Sequence, residues 1–144
     1  MNAFYLAWES ARLKFGKIID TKTISLHPET VIFLRKRNLI IKGDSGALSC
    51  YLLLMSVVNS KLFSNYDNIV STGTIRKLNN NNFYIDKISN FRLKLNGLKD
   101  YFISSFGKNL FVYFEGNKLS SEFKSNKPKN FHFTKITKNF KLIL

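Results

Sequence analysis

Cysteine is almost absent from the sequence, histidine and proline occur twice each, and acidic residues number nine in 144 positions. With a single thiol, Cys50, the chain has no disulfide framework and no cysteine-based metal site, and nothing points to an oxidising compartment. His27 and His132 are too few and too scattered to suggest a metal cluster. No apolar run approaches the roughly 20 residues that span a bilayer, and the start lacks the basic-then-apolar layout of a secretory leader. Membrane insertion is therefore not expected, and the expected setting is the cytoplasm or an organelle interior. The scarcity of acids against 23 Lys and Arg leaves a net charge of +14. That excess favours an anionic partner such as RNA or an acidic protein, and it says nothing of fold.

Apolar side chains make up 44% of the chain and aromatic ones 15%, enough for one domain over residues 1–144 with a real core. Phe4, Leu6, Ala7, Ala11, Leu13 and Phe15 have helical spacing, and Gly16 follows where a terminating glycine belongs. Val31 to Ile41 reads as a strand leading to an elbow at Gly43. The stretch from Ser45 to Asn59 is apolar on every face and reads as a buried central helix. A strand over Ile69 to Ile75 and another over Phe83 to Ile85 would form a hairpin around the polar tip Asn79 to Asn82. Residues 90–106 suit a second long helix, and Leu110 to Phe114 a strand buried on both faces. A Lys-, Ser- and Asn-rich connection then leads to a terminal segment whose Phe131, Phe133, Ile136 and Phe140 must pack. Helices interleaved with strands, without repeats, predict an α/β or α+β sandwich.

The elbow Gly43-Asp44-Ser45-Gly46-Ala47 is the place to look for chemistry. Asp44 or Ser45 can cap the helix that follows, and the unpaired backbone N–H groups of its first turn suit an anion or oxyanion.

Together with residues further on, this elbow resembles the proteolytic domain of the Lon proteases, a serine–lysine peptidase family with the ribosomal protein S5 domain 2-like α/β fold. Gly43-Asp44-Ser45-Gly46-Ala47 is similar to that family's Gly-Pro-Ser-Ala-Gly nucleophile motif, with Asp44 in place of proline. Thr72-Gly73-Thr74-Ile75 resembles its Thr-Gly strand. Ile85 to Leu95 resembles its Val-x-x-Ile-Gly-Gly-hydrophobic-Lys-x-Lys segment, with Ser89 and Asn90 in place of the paired glycines and Lys94 on the catalytic lysine. Glu9-Ser10-Ala11 is similar to the opening helix, and Phe114-Glu115-Gly116-Asn117-Lys118 to a strand ending in a Glu-Asn turn.

The resemblance implies that Ser45 attacks a scissile carbonyl and Lys94 accepts and returns the proton, with Thr72 orienting the amine. Asp44 and Gly46 flank the nucleophile, and backbone N–H groups would stabilise the oxyanion. Leu93, Leu95 and Phe91 would give Lys94 an inward, apolar setting. The substrate would be a polypeptide, no cofactor is called for, and a homo-oligomer or a separate ATPase could supply what the chain's lack of an ATPase module leaves out. A second expectation is a non-catalytic basic scaffold of the same fold. Arg35, Lys36 and Arg37, with Lys127 and Lys129 among the phenylalanines near the end, would then hold RNA or an acidic partner protein.

Overall fold

The computed structural model describes residues 2–15, 45–79, 82–104 and 106–143. In chain order these form α1 (Asn2–Phe15), α2 (Ala47–Val58), β1 (Asn68–Thr72), β2 (Thr74–Asn79), β3 (Asn82–Asp86), α3 (Phe91–Ser104), β4 (Asn109–Phe114), α4 (Ser121–Ser125), β5 (Phe131–Ile136) and β6 (Leu142–Ile143). The described chain is thus mixed α/β, with a four-stranded mixed sheet in the order β1-β4-β5-β6 and a separate β2-β3 hairpin.

β4 is the hub. It lies parallel to β1 on one edge and to β5 on the other, and all six of its residues are buried. Side chains alternate across a strand, and β4 uses both faces. Leu110, Val112 and Phe114 join the cluster built by α1, α2 and the hairpin, while Phe111 and Tyr113 join Leu95 of α3, Leu119 and Phe131. The sheet is therefore covered on both faces, as a continuous apolar run in a parallel strand requires. Each fully buried large side chain of this kind contributes about 1.5–3 kcal/mol. On the first face the fully buried Ala7 and Ala11 let α1 approach α2 closely, and the Tyr51 ring packs on Phe15 and Phe140.

Several elements differ from expectation. The strand expected over Ile69 to Ile75 breaks at Gly73: its first half joins the main sheet beside β4, and its second half starts the hairpin. The polar tract narrows to the hairpin's end, with Asn79 and Asn82 paired across it. The helix expected to be buried on every face leaves Leu53 60% exposed and Ser49 at the surface. The connection after Gly116 contains α4, capped where the Ser120 hydroxyl accepts from the Phe123 N–H. The expected strand over Val31 to Ile41 lies outside the described residues.

Candidate active site

Two separately built segments meet at Ser45. The first is the junction of β1 and β2. The Gly73 N–H donates to the Ser45 carbonyl at 3.0 Å, and the Gly73 carbonyl accepts from the Leu48 N–H at 3.1 Å. A Cβ on Gly73 would stand 2.8 Å from Leu48 Cδ2 and 3.0 Å from Leu48 Cβ, so the buried Leu48 side chain leaves room there only for glycine unless it shifts. The clasp fixes Ser45 in the turn just ahead of α2.

The second segment leads into α3. The Asn117 side chain accepts from the Ile88 N–H at 3.1 Å and donates to the Ile88 carbonyl at 3.2 Å. Two residues on, Asn90 adopts a left-handed φ of 58°, a conformation asparagine tolerates better than most side chains. Its carbonyl accepts the Lys94 N–H at 3.2 Å. Lys94 therefore rises from the first turn of a helix whose start is pinned from behind.

Lys94 Nζ donates to Ser45 Oγ at 2.8 Å. Residues 49 positions apart are thus brought into direct contact. Among the described residues Lys94 makes no ion pair with a carboxylate.

The surroundings correct three expectations. Ser45 does not cap α2: the cap position is Gly46, which makes no side-chain cap bond, and the serine hydroxyl turns to the lysine instead. Thr72, partly buried at the end of β1, makes no side-chain hydrogen bond to the Lys94 amine among the described residues. What positions the pair is backbone, through Gly73 and Asn117. Leu93 is 70% exposed and Lys94 is itself exposed, because one turn of α3 faces solvent and Leu95 alone of the three consecutive residues points into the core.

The turn has the features that a developing oxyanion needs. The N–H groups of Gly46 and Ala47 have no partner among the described residues, and they stand at the positive end of α2. Among the described residues a Cβ on Gly46 would meet nothing within 4 Å. One helical turn further, Ser49 Oγ lies 2.7 Å from Ser71 Oγ and donates to the Ser71 carbonyl at 3.0 Å. Beyond this pair runs a cleft of about 250 Å³ between α2 and β1, floored by Leu52 and Phe63 and flanked by Leu53, Ser56 and Ile69.

Neither Gly73 nor Asn117 was singled out by sequence reasoning for a role at the site. The signal for the first was present: a lone glycine inside a β-branched run marks close backbone approach. Ser49 and Ser71 carried no signal at all.

Other candidates separate from the dyad. Asp44, Arg35, Lys36 and Arg37 lie outside the described residues. Lys127 is turned to packing: its amine donates to the Phe131 carbonyl at 2.9 Å and sits 5.5 Å from the Phe133 ring centre. Lys129 is exposed on the turn before β5. Burial pushes the Cys50 thiol up from its ordinary range, which suppresses the thiolate. Among the described residues no group of His, Cys, Asp or Glu could hold a metal ion, and no helix is long and apolar enough to cross a membrane. No family model, curated protein or solved structure matches the chain.

Proposed function

We propose that the chain is a Lon-like peptidase domain of the ribosomal protein S5 domain 2-like fold, hydrolysing peptide bonds with Ser45 and Lys94. The observation that carries this reading is the 2.8 Å contact between the lysine amine and the serine hydroxyl. A serine is a weak nucleophile until a base within hydrogen-bond reach takes its proton, and here an amine stands at that distance.

This reading implies the following steps. Lys94, uncharged, takes the Ser45 proton as Oγ bonds to the scissile carbonyl carbon. The carbonyl electrons move to oxygen, where the Gly46 and Ala47 N–H groups would receive the charge. Collapse breaks the C–N bond, and the lysine ammonium returns its proton to the leaving amine. Water then attacks the acyl-serine carbonyl as Lys94 accepts its proton; the ester C–Oγ bond breaks, the lysine ammonium returns the proton to Ser45 Oγ, and the acid leaves. A lysine accepts a proton only in its uncharged form, which loss of surrounding water favours; since Lys94 is exposed, the bound polypeptide would have to supply that cover. The cleft past Ser49 and Ser71 suits an apolar side chain of the same polypeptide.

The test is hydrolysis of a fluorogenic peptide mixture by the wild type and by Ser45→Ala, Lys94→Met and Lys94→Arg. Removing the base or the nucleophile should lower turnover by roughly 10²–10⁴ or more, and Lys94→Arg should be as inactive as Lys94→Met because a guanidinium stays protonated and cannot accept the serine proton. Wild-type turnover in any of the three ends the reading.

A further inference from the structure

α3 has a second working face. Arg92, Leu95, Asn96 and Lys99 follow the i, i+3, i+4, i+7 spacing of one helical stripe, roughly 150° round the helix from Lys94. Opposite this stripe stand Lys118 to Ser120 and α4, and between them run two cavities of about 210 and 340 Å³ that share Arg92, Leu95 and Ser120.

The chemistry of this groove is one-sided. Among the described residues Arg92, Lys99 and Lys118 line it against a single carboxylate, Glu122. Among the described residues none of these three cations is ion-paired or laid over an aromatic ring. Elsewhere the basic residues are often engaged: Lys77 pairs with Glu9 at 3.3 Å, Lys14 donates to the Phe140 carbonyl at 3.2 Å, and Lys138 covers the Tyr84 ring at 4.9 Å. The groove cations thus keep their charge available, in a concave site with an apolar floor of Leu95, Leu119 and Phe123.

We propose that this groove binds single-stranded RNA. Three cations along a channel match a phosphodiester backbone, and a guanidinium presents paired donors to phosphate oxygens. Asn96 and Asn126 in the wall carry donor and acceptor together. Such groups answer base edges and the ribose 2′-hydroxyl, which is both donor and acceptor and is absent from DNA. The site lies across α3 from Ser45 and does not depend on peptidase activity.

The experiment measures anisotropy of a fluorescein-labelled uridine 20-mer against the full chain over a salt series. Three proteins are compared: wild type, Arg92→Ala/Lys99→Ala/Lys118→Ala, and the charge-matched control Lys61→Ala/Lys87→Ala/Lys141→Ala, whose lysines are exposed and lie outside the groove. The groove variant should lose at least about tenfold in affinity and reduce the slope of log K against log salt by about 2, near 0.7 per lost phosphate contact. The control should lose much less, and Glu122→Gln should bind more tightly than wild type. Equal losses in the two triple variants, or none in either, overturn the proposal. So does a deoxythymidine 20-mer that binds as tightly as the uridine strand, or a polyglutamate that displaces it at equal charge. Circular dichroism of each variant separates lost binding from lost folding, and should the groove triple fail to fold, Arg92→Gln alone carries the same test with an expected slope change of about 0.7.

Discussion

Replacing Gly73 by alanine should loosen the site and the fold together. The new Cβ would lie 2.8 Å from Leu48 Cδ2 and 3.0 Å from Leu48 Cβ, where carbon atoms normally rest about 3.5–4.0 Å apart. Either β1 and β2 retreat from α2 by the better part of an ångström or Leu48, which is fully buried, leaves its rotamer. Overpacking of this sort costs about 1–3 kcal/mol. The two clasp bonds at 3.0 and 3.1 Å would lengthen as well, each worth about 0.5–1.5 kcal/mol. We expect a loss of about 2–4 kcal/mol, read as a lower urea midpoint at unchanged m. Because one of those bonds holds the Ser45 carbonyl, peptide turnover should fall by about 10², the usual effect of misplacing a reacting group by about 1 Å. Leu48→Ala removes the atom in closest conflict, so the double variant should be less destabilised than the sum of the single changes. A Gly73→Ala protein with the wild-type midpoint and wild-type turnover would refute the idea that this clasp positions the serine.

Asn117→Ala should strip both partners from the Ile88 backbone at a buried site, costing about 2–3 kcal/mol, and should lower turnover beyond what Asn117→Asp does, as peptide assays and urea melts would show. Tyr51 is fully buried with its hydroxyl unpartnered among the described residues, and burial pushes that hydroxyl well above its ordinary range; Tyr51→Phe should therefore stabilise the fold by up to about 1–2 kcal/mol in thermal or urea unfolding. Loss of water, and then the charges of Lys108 and Lys127, hold His132 below its ordinary value of 6.5. The unfolded chain then binds the proton more readily, so this contribution is present above pH 6.5 and lost as pH falls through the depressed folded value; His132→Gln should flatten that part of the stability curve, and an unchanged slope would contradict the assignment.

The helices and the central strand were legible because they carry local patterns. α1 matches its apolar spacing over Asn2–Phe15, α3 runs through Gly97 as expected, and Leu110 to Phe114 reads as a doubly buried strand because its residues are apolar without alternation. Pairing was not legible. Ile69 to Ile75 and Phe83 to Ile85 look like one hairpin in sequence, but the glycine between Thr72 and Thr74 redirects the chain, and β1 pairs in parallel with a strand 41 residues away. Register across such a crossover depends on which face of β4 each helix covers, which no short window contains. At the site, serine and lysine could be named from the resemblance. The parts that hold them could not: Gly73 and Asn117 act through backbone hydrogen bonds, which leave little trace in residue type. Thr72 was assigned an orienting role, but among the described residues it makes no side-chain hydrogen bond to the Lys94 amine.

The central claim is that Lys94 makes Ser45 reactive. The direct measurement is the rate at which a serine-selective fluorophosphonate labels Ser45, located by mass spectrometry of the digested protein, in wild type and in Lys94→Met. The account predicts a modified Ser45 in the wild type and labelling at least about 10²-fold slower without the amine; equal rates in the two proteins, or a label on another serine, would contradict it.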